Sequence, residues 1–171
     1  RLSDGDKLHM QSLAAIAHLD FNQPGANSYE QAFQTIREMG LGQDTLDQQF
    51  RRAVFNIVGR NQDDHVKNIA FLMDRKGKWR LSPAYDISYQ YNPHGTWTNR
   101  HQMSLAGKRD GFTLKDLEDG GKVAGLSKRA VRQIIDEVKA SVGRWRQFAK
   151  EAEVHPNFIN DIEAAQRLDI S

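Results

Sequence analysis

The sequence predicts a mainly α-helical domain with one small β-hairpin. Three observations lead there. Apolar residues return at a period near 3.6 in several separate segments, two β-type runs flank a Gly-containing turn near the middle of the chain, and 171 residues without a cysteine can build a core by packing alone.

Leu8, Leu13, Ile16 and Leu19 give residues 7–19 a helical spacing, with Asp4 or Asp6 as candidate caps. Ser28 followed by Gln31 reads as a capping box, Phe33, Ile36 and Met39 form one stripe, and Gly40 supplies a left-handed stop, which predicts a helix over 29–39. Asp44 or Thr45 can cap the next segment, 46–58, in which Leu46, Phe50, Val54, Phe55, Ile57 and Val58 make a broad apolar face ending at Gly59. The runs 69–73 and 78–82 around Asp74 to Gly77 predict the hairpin. Residues 87–107 are mixed, with one short strand at 101–105. Thr113 with Asp116 starts a short helical turn over 114–120. Ser127 caps a long helix over 128–150 whose stripe is Val131, Ile134, Ile135, Val138, Val142, Trp145 and Phe148. Pro156 opens a last helix carrying Ile159, Ile162, Ala165 and Leu168.

Lys and Arg number 24 against 22 Asp and Glu, with 39% of residues hydrophobic and 27% charged. That balance excludes a disordered chain, a collagen-like chain and a disulfide scaffold. No apolar run approaches the ~18 residues that span a bilayer, and Asp4, Asp6, Lys7, His9 and His18 interrupt what would have to be a signal sequence. The lack of cysteine removes thiol catalysis and thiolate metal sites, so a metal would have to sit on carboxylate, amide or imidazole. Charge is unevenly spread: residues 1–50 hold 3 basic and 7 acidic side chains, 51–100 hold 9 and 4, and 101–171 hold 12 and 11. A basic middle third enclosing an acidic cluster suits an anionic substrate plus a cation, although a solvated face is the commoner cause.

That cluster is Asp63-Asp64-His65-Val66-Lys67-Asn68, placed where a helix hands over to the hairpin, and Asp86 follows 18 residues beyond Asn68. Phosphoryl transfer from ATP requires a carboxylate to hold or deprotonate the attacking hydroxyl and hard oxygen ligands for Mg²⁺. An Asp and an Asn five residues apart on one loop can face the same site, and a hairpin can bring a second Asp back beside them. Protein kinases present a catalytic-loop Asp and Asn and a later metal-binding Asp in this order. The spacing of Asp63 and Asn68 alone carries little; the helix before it and the hairpin and Asp86 after it make the pattern specific.

Together with Leu81-Ser82-Pro83-Ala84-Tyr85-Asp86, Tyr91-Asn92-Pro93, the segment from Trp97 to Ser104, and Gly107-Lys108-Arg109, the cluster resembles the C-terminal half of HipA-family toxins, which are bacterial serine/threonine kinases of toxin–antitoxin modules. The resemblance extends back to Leu8-His9-Met10. It implies one protein-kinase-like C-lobe over residues 1–171, with Asp63 as catalytic base, Asn68 and Asp86 as Mg²⁺ ligands, and His65, Lys67 and Asn68 in the loop that meets ATP. It further implies a cytoplasmic setting, a protein substrate (those of the family include aminoacyl-tRNA synthetases), and a helix-turn-helix antitoxin linking the protein to operator DNA. Nothing matches the family's N-terminal half, with its Gly-rich phosphate loop and strand lysine. Gly40-Leu41-Gly42 and Gly120-Gly121 lack the preceding strand that a nucleotide cradle requires. The chain is therefore expected to fold alone but neither to phosphorylate nor to bind ATP tightly without that lobe.

Plainer readings stand beside these. Asp64 reads as structural, and His65 more readily as a hydrogen bond that holds the loop than as a chemical group. Lys67 is divided evenly between a phosphate contact and a solvated side chain. Trp79, Tyr85, Tyr89 and Tyr91 have the spacing of strand and core packing. His94 and His101 lack the i, i+4 spacing of a helical zinc pair. The basic residues Lys128, Arg129, Arg132, Lys139, Arg144 and Arg146 are interrupted by Asp136, Glu137, Glu151 and Glu153, as on a solvated face. The alternative function is a non-catalytic domain that docks an antitoxin or DNA and keeps the loop for structure; convergence of Asp63, Asn68 and Asp86 on one open face separates the two.

Overall fold

The computed structural model describes residues 7–171, so the candidate caps Asp4 and Asp6 lie outside the described residues. In chain order the elements are β1 (His9–Ser12), α1 (Leu13–Ile16), β2 (Asn27–Ser28), α2 (Tyr29–Glu38), α3 (Gln43–Gly59), β3 (Ala70–Met73), β4 (Trp79–Leu81), β5 (Met103–Ser104), α4 (Leu114–Val123), α5 (Lys128–Val142), α6 (Trp145–Glu151) and α7 (Pro156–Ala165). The fold is mainly helical with two small sheets. One has the order β1-β3-β4 and is antiparallel; the other joins β2 and β5 in parallel.

Helix α3 is the axis of the core. Its buried Leu46, Phe50, Val54 and Ile57 meet Phe33 and Ile36 of α2 on one side and Val131, Ile134, Ile135 and Val138 of α5 on another. Each such side chain, fully enclosed, is worth about 1.5–3 kcal/mol in apolar burial. Gly120 and Gly121 of α4 let this packing close. A Cβ at Gly120 would stand 2.5 Å from Leu105 Cδ1, and one at Gly121 would stand 2.3 Å from Val131 Cγ2. Their role is close helix packing.

Both expected boxes form: Ser28 with Gln31, and Thr113 with Asp116, the backbone N–H of each residue donating to the side chain of the other. Gly40 takes φ +68 after α2, Ser127 caps α5, and Pro156 opens α7. The hairpin forms as expected, with Phe71 opposite Leu81 and Met73 opposite Trp79.

Four expectations are corrected. Residues 7–19 are not one helix: His9 to Ser12 form a strand on the edge of the hairpin, Ser12 opposite Ala70, and only one helical turn follows. Pairing with β3 overrides the local periodicity there, as tertiary context commonly does. Helix α3 begins at Gln43 behind Gly42, with no side-chain cap; Asp44 sits in its first turn, where the helix dipole favours a carboxylate. The 128–150 segment is two helices, because the chain turns at Gly143 and Arg144 between α5 and α6. Of the four aromatics read as core and hairpin packing, only Trp79 packs against the core. Tyr85 and Tyr91 make polar contacts, Tyr85 donating to Lys67 O and Tyr91 lying under the Arg60 guanidinium.

Among the described residues, no helix is long and apolar enough to cross a membrane. For the site, what matters is the exit of α3. Arg60, in the left-handed region at φ +60, turns the chain out of the helix and into residues 61–69, which lead to β3. Leu13 N donates to Ile69 O at 2.7 Å and Ala14 N to Val66 O at 3.2 Å, which fastens this loop to α1. After the hairpin the chain returns alongside, with Gln90 N donating to Arg60 O at 3.0 Å and Gln62 N to Gln90 O at 3.2 Å.

Candidate active site

Asp63 and Asp64 leave the helix together and turn opposite ways. The Asp64 side chain is wholly enclosed. Its Oδ2 accepts from Tyr29 Oη at 2.7 Å and meets His101 Nδ1 at 2.8 Å, while its Oδ1 accepts from the Gln102 N–H at 2.7 Å. Burial alone would push its pKa up, but His101, Tyr29 and the Gln102 N–H outweigh burial and hold the group below the ordinary carboxylate value. The Tyr29 hydroxyl shifts the other way, well up, from burial and from the adjoining Asp64 charge. It accepts in turn from Asn56 Nδ2 at 2.9 Å, and Asn56 Oδ1 accepts from Asn61 Nδ2 at 3.0 Å.

The Asp63 side chain keeps 42% of its surface in solvent. Among the described residues no group donates to its carboxylate; His65 Nε2 is 3.9 Å from Oδ1. Partial burial raises its pKa; His65 opposes the shift, and the charges of Asp86 and Asp64 add to it. An unsatisfied, accessible carboxylate that holds a proton more readily than usual can accept one from a bound hydroxyl.

Asn68 turns its amide back, Nδ2 donating to the Asp63 carbonyl at 2.9 Å. That bond fixes the amide orientation and leaves Oδ1, a hard oxygen donor, without a protein partner among the described residues. His65 lies beside the loop with its ring tilted against Phe21 at 6.3 Å. Lys67 is exposed and holds its ammonium 3.8 Å over the Phe21 ring, with no carboxylate partner among the described residues.

Asp86 sits on the returning segment with φ +53, in the left-handed region that Asp tolerates better than most residues. Two side-chain bonds tie that segment to the loop: Tyr85 Oη to Lys67 O, and Asn61 Nδ2 to Asp86 O at 3.5 Å. The structure thus sets the Asp86 segment beside the loop that carries Asp63 and Asn68, the loop joined by the Asn68 bond and the two segments by Tyr85 and Asn61, near enough for the Asp86 charge to act on Asp63. A cavity of about 610 Å³ is lined by Asp86 with Arg51, Arg52, Phe55 and Tyr85, and by neither Asp63 nor Asn68. His94 stays exposed in a turn, whereas His101 is fully buried on Asp64 and edge-on to Phe112.

The supports around Asp64 were not read from the sequence. Tyr29 lies 35 residues before it and His101 lies 37 after it. The one local signal was the doubled Asp itself. Several of the basic residues read as a solvated face are taken up: Lys128 and Arg132 of α5 both pair with Glu118, and Arg146 of α6 pairs with Glu163.

A helical domain with two small sheets, a loop leaving its central helix and a post-hairpin segment folded back beside it defines a HipA C-terminal-like fold. The chain belongs to the HipA-like C-terminal domain family, which matches it over residues 1–145. Among solved structures it is similar to the HipA of Shewanella oneidensis MR-1 in a complex with HipB and operator DNA, with a TM-score of 0.75 at 15% identity. The likeness takes in 96% of this chain and 44% of that one, so the chain spans less than half the length of its structural relative. No curated protein matches the sequence.

Proposed function

We propose that this domain is the C-terminal lobe of a Mg²⁺/ATP-dependent serine/threonine protein kinase of a toxin–antitoxin module. The observation that carries the reading is the division of labour on one loop: Asp64 takes up the donors of the fold, while Asp63 remains accessible and unsatisfied beside Asn68 Oδ1 and Asp86. In this reading Asp63 holds the hydroxyl of a protein serine or threonine and accepts its proton as the oxygen bonds to the γ-phosphorus of ATP and the bond from that phosphorus to the ADP oxygen breaks, ADP leaving. Asn68 Oδ1 and the Asp86 carboxylate are hard donors suited to Mg²⁺, which supplies neutralisation of the phosphate oxygens of ATP. Lys67 is the cation available to those phosphates, and His65 flanks Asp63. A nucleotide-binding lobe would supply the phosphate loop and strand lysine, for which this chain has no counterpart.

The structural relative is a HipA bound to HipB and operator DNA, which supports a helix-turn-helix antitoxin, and through it DNA, as partners of the protein to which this lobe belongs. The family resemblance extends the substrate class to proteins such as aminoacyl-tRNA synthetases. The test is a crystal of this lobe joined to its nucleotide-binding lobe, with Mg²⁺ and a non-hydrolysable ATP analogue. The metal is expected about 2.0–2.1 Å from Asn68 Oδ1 and an Asp86 oxygen. A metal coordinated elsewhere overturns the assignment.

A further inference from the structure

We propose that a small cavity behind the candidate catalytic loop is a binding site for one water molecule that joins α3 to the loop. Gln49 and Arg52 of α3 line it together with Asn61, His65, Asn68 and Ile87, leaving about 10 Å³ in which the centre of a water can move. That is room for one water and not for a chain of them.

Four polar atoms of these lining residues are buried with no protein partner: Gln49 Oε1, Arg52 Nε, Asn61 Oδ1 and His65 Nδ1. Gln49 and Asn61 are 1% and 2% exposed. Buried polar groups in folded proteins are almost always paired, so four orphans on one cavity form a set that calls for a common partner. Their chemistry selects it. The Arg52 guanidinium excludes a cation, and two amide oxygens exclude an anion. An apolar guest would leave all four groups unmet. Arg52 Nε–H can only donate, since a guanidinium has no acceptor, and its Nη2 is already given to Ser82 O at 2.7 Å. Asn61 can only offer its oxygen, because Nδ2 is held by Asn56 Oδ1. Gln49 Oε1 is a second acceptor, and His65 donates when its proton is on Nδ1. A water accepts twice and donates twice, and this site offers two donors and two acceptors.

The consequence reaches the loop. With Nδ1–H given to the water, the nitrogen that His65 turns toward Asp63 is Nε2, at 3.9 Å. Asn61, the other anchor, also holds the Asp86 carbonyl. The water would therefore fix the tautomer of His65 and brace both segments of the site; its bearing on catalysis rests on the reading of Asp63 as the reacting carboxylate, whereas the water site itself does not.

A high-resolution crystal structure of the chain tests the site, beside relaxation-dispersion counting of long-lived internal waters in wild type and in Gln49→Met. The expected result is one ordered oxygen within hydrogen-bonding distance of at least three of the four atoms, and one long-lived water fewer in the variant. A dry cavity, or direct pairing of Arg52 Nε with Gln49 Oε1 or Asn61 Oδ1, would overturn it. Both readouts are independent of activity, so failure of the water site and failure of the kinase reading are told apart. Should Gln49→Met not fold, the wild-type crystal alone decides.

Discussion

Asp63 leaves much of its side chain in solvent and takes no hydrogen bond on its carboxylate from the described residues, whereas Asp64, the next residue, is fully enclosed and takes three. One peptide bond separates a carboxylate whose pKa is pushed up from one whose pKa is held down. The difference teaches where each charge is spent. A buried charge persists only when donors surround it, and a group so enclosed is out of a substrate's reach. Asp64 ties α2, the loop and the residues leading into β5 into one unit, and Asp63 rides on that unit with its oxygens unpaired among the described residues.

The comparison can be broken most severely at Asp64. Asp64→Ala strips the acceptor from Tyr29, His101 and the Gln102 N–H at once, and should destabilise the domain by about 3–5 kcal/mol, as removal of one partner from a buried charged network does. Urea unfolding measures it; a loss below about 1 kcal/mol would mean the network bears no weight. A smaller step is Tyr29→Phe, which removes one donor to Asp64 and leaves Asn56 Nδ2 without its acceptor. It should lower stability by about 1–2 kcal/mol while keeping the core volume.

Acid separates the two residues further. The folded pKa of Asp64 lies below the unfolded value, so its contribution is present above the ordinary carboxylate pKa of about 3.9 and is lost as pH falls through the folded value. The stability gap between wild type and Asp64→Asn should therefore be full near neutrality and narrow below about pH 4. For Asp63 the folded pKa is the higher one, so its relative contribution is present at low pH and lost as pH rises through the folded value. Asp63→Asn should accordingly be no less stable than wild type at neutral pH. Thermal midpoints of both variants across pH 2.5–7 check the two signs together.

Much of this was legible in the sequence where the determinants are local. Ser28 with Gln31, Thr113 with Asp116, Ser127 and Pro156 are signals within four residues of what they specify, and each stands where it was read. The order of helix, loop, hairpin and Asp86 placed the candidate site residues on elements that do adjoin. What escaped depends on partners far along the chain. His9 to Ser12 form a strand only because β3 offers an edge some 60 residues later, and a helical spacing of leucines carries no sign of that. Asp64, Tyr29 and His101 share no spacing. Gly120 and Gly121 could be read only as lacking the strand of a nucleotide cradle, and the reason for glycine there shows once Leu105 and Val131 are seen pressing on them. Lys67 remained ambiguous for a different reason: a long exposed side chain takes its place from whatever binds, and here it rests on Phe21.

The central claim is that Asp63 serves chemistry and Asp64 serves the fold, and one paired measurement tests it most directly: phosphoryl transfer to a protein acceptor, beside the thermal midpoint, for Asp63→Asn in the protein carrying both lobes. The account predicts a fall in kcat of about 10²–10⁴-fold, the range expected for loss of a positioned base, with a midpoint at or slightly above that of wild type. Transfer within a few-fold of wild type would contradict it.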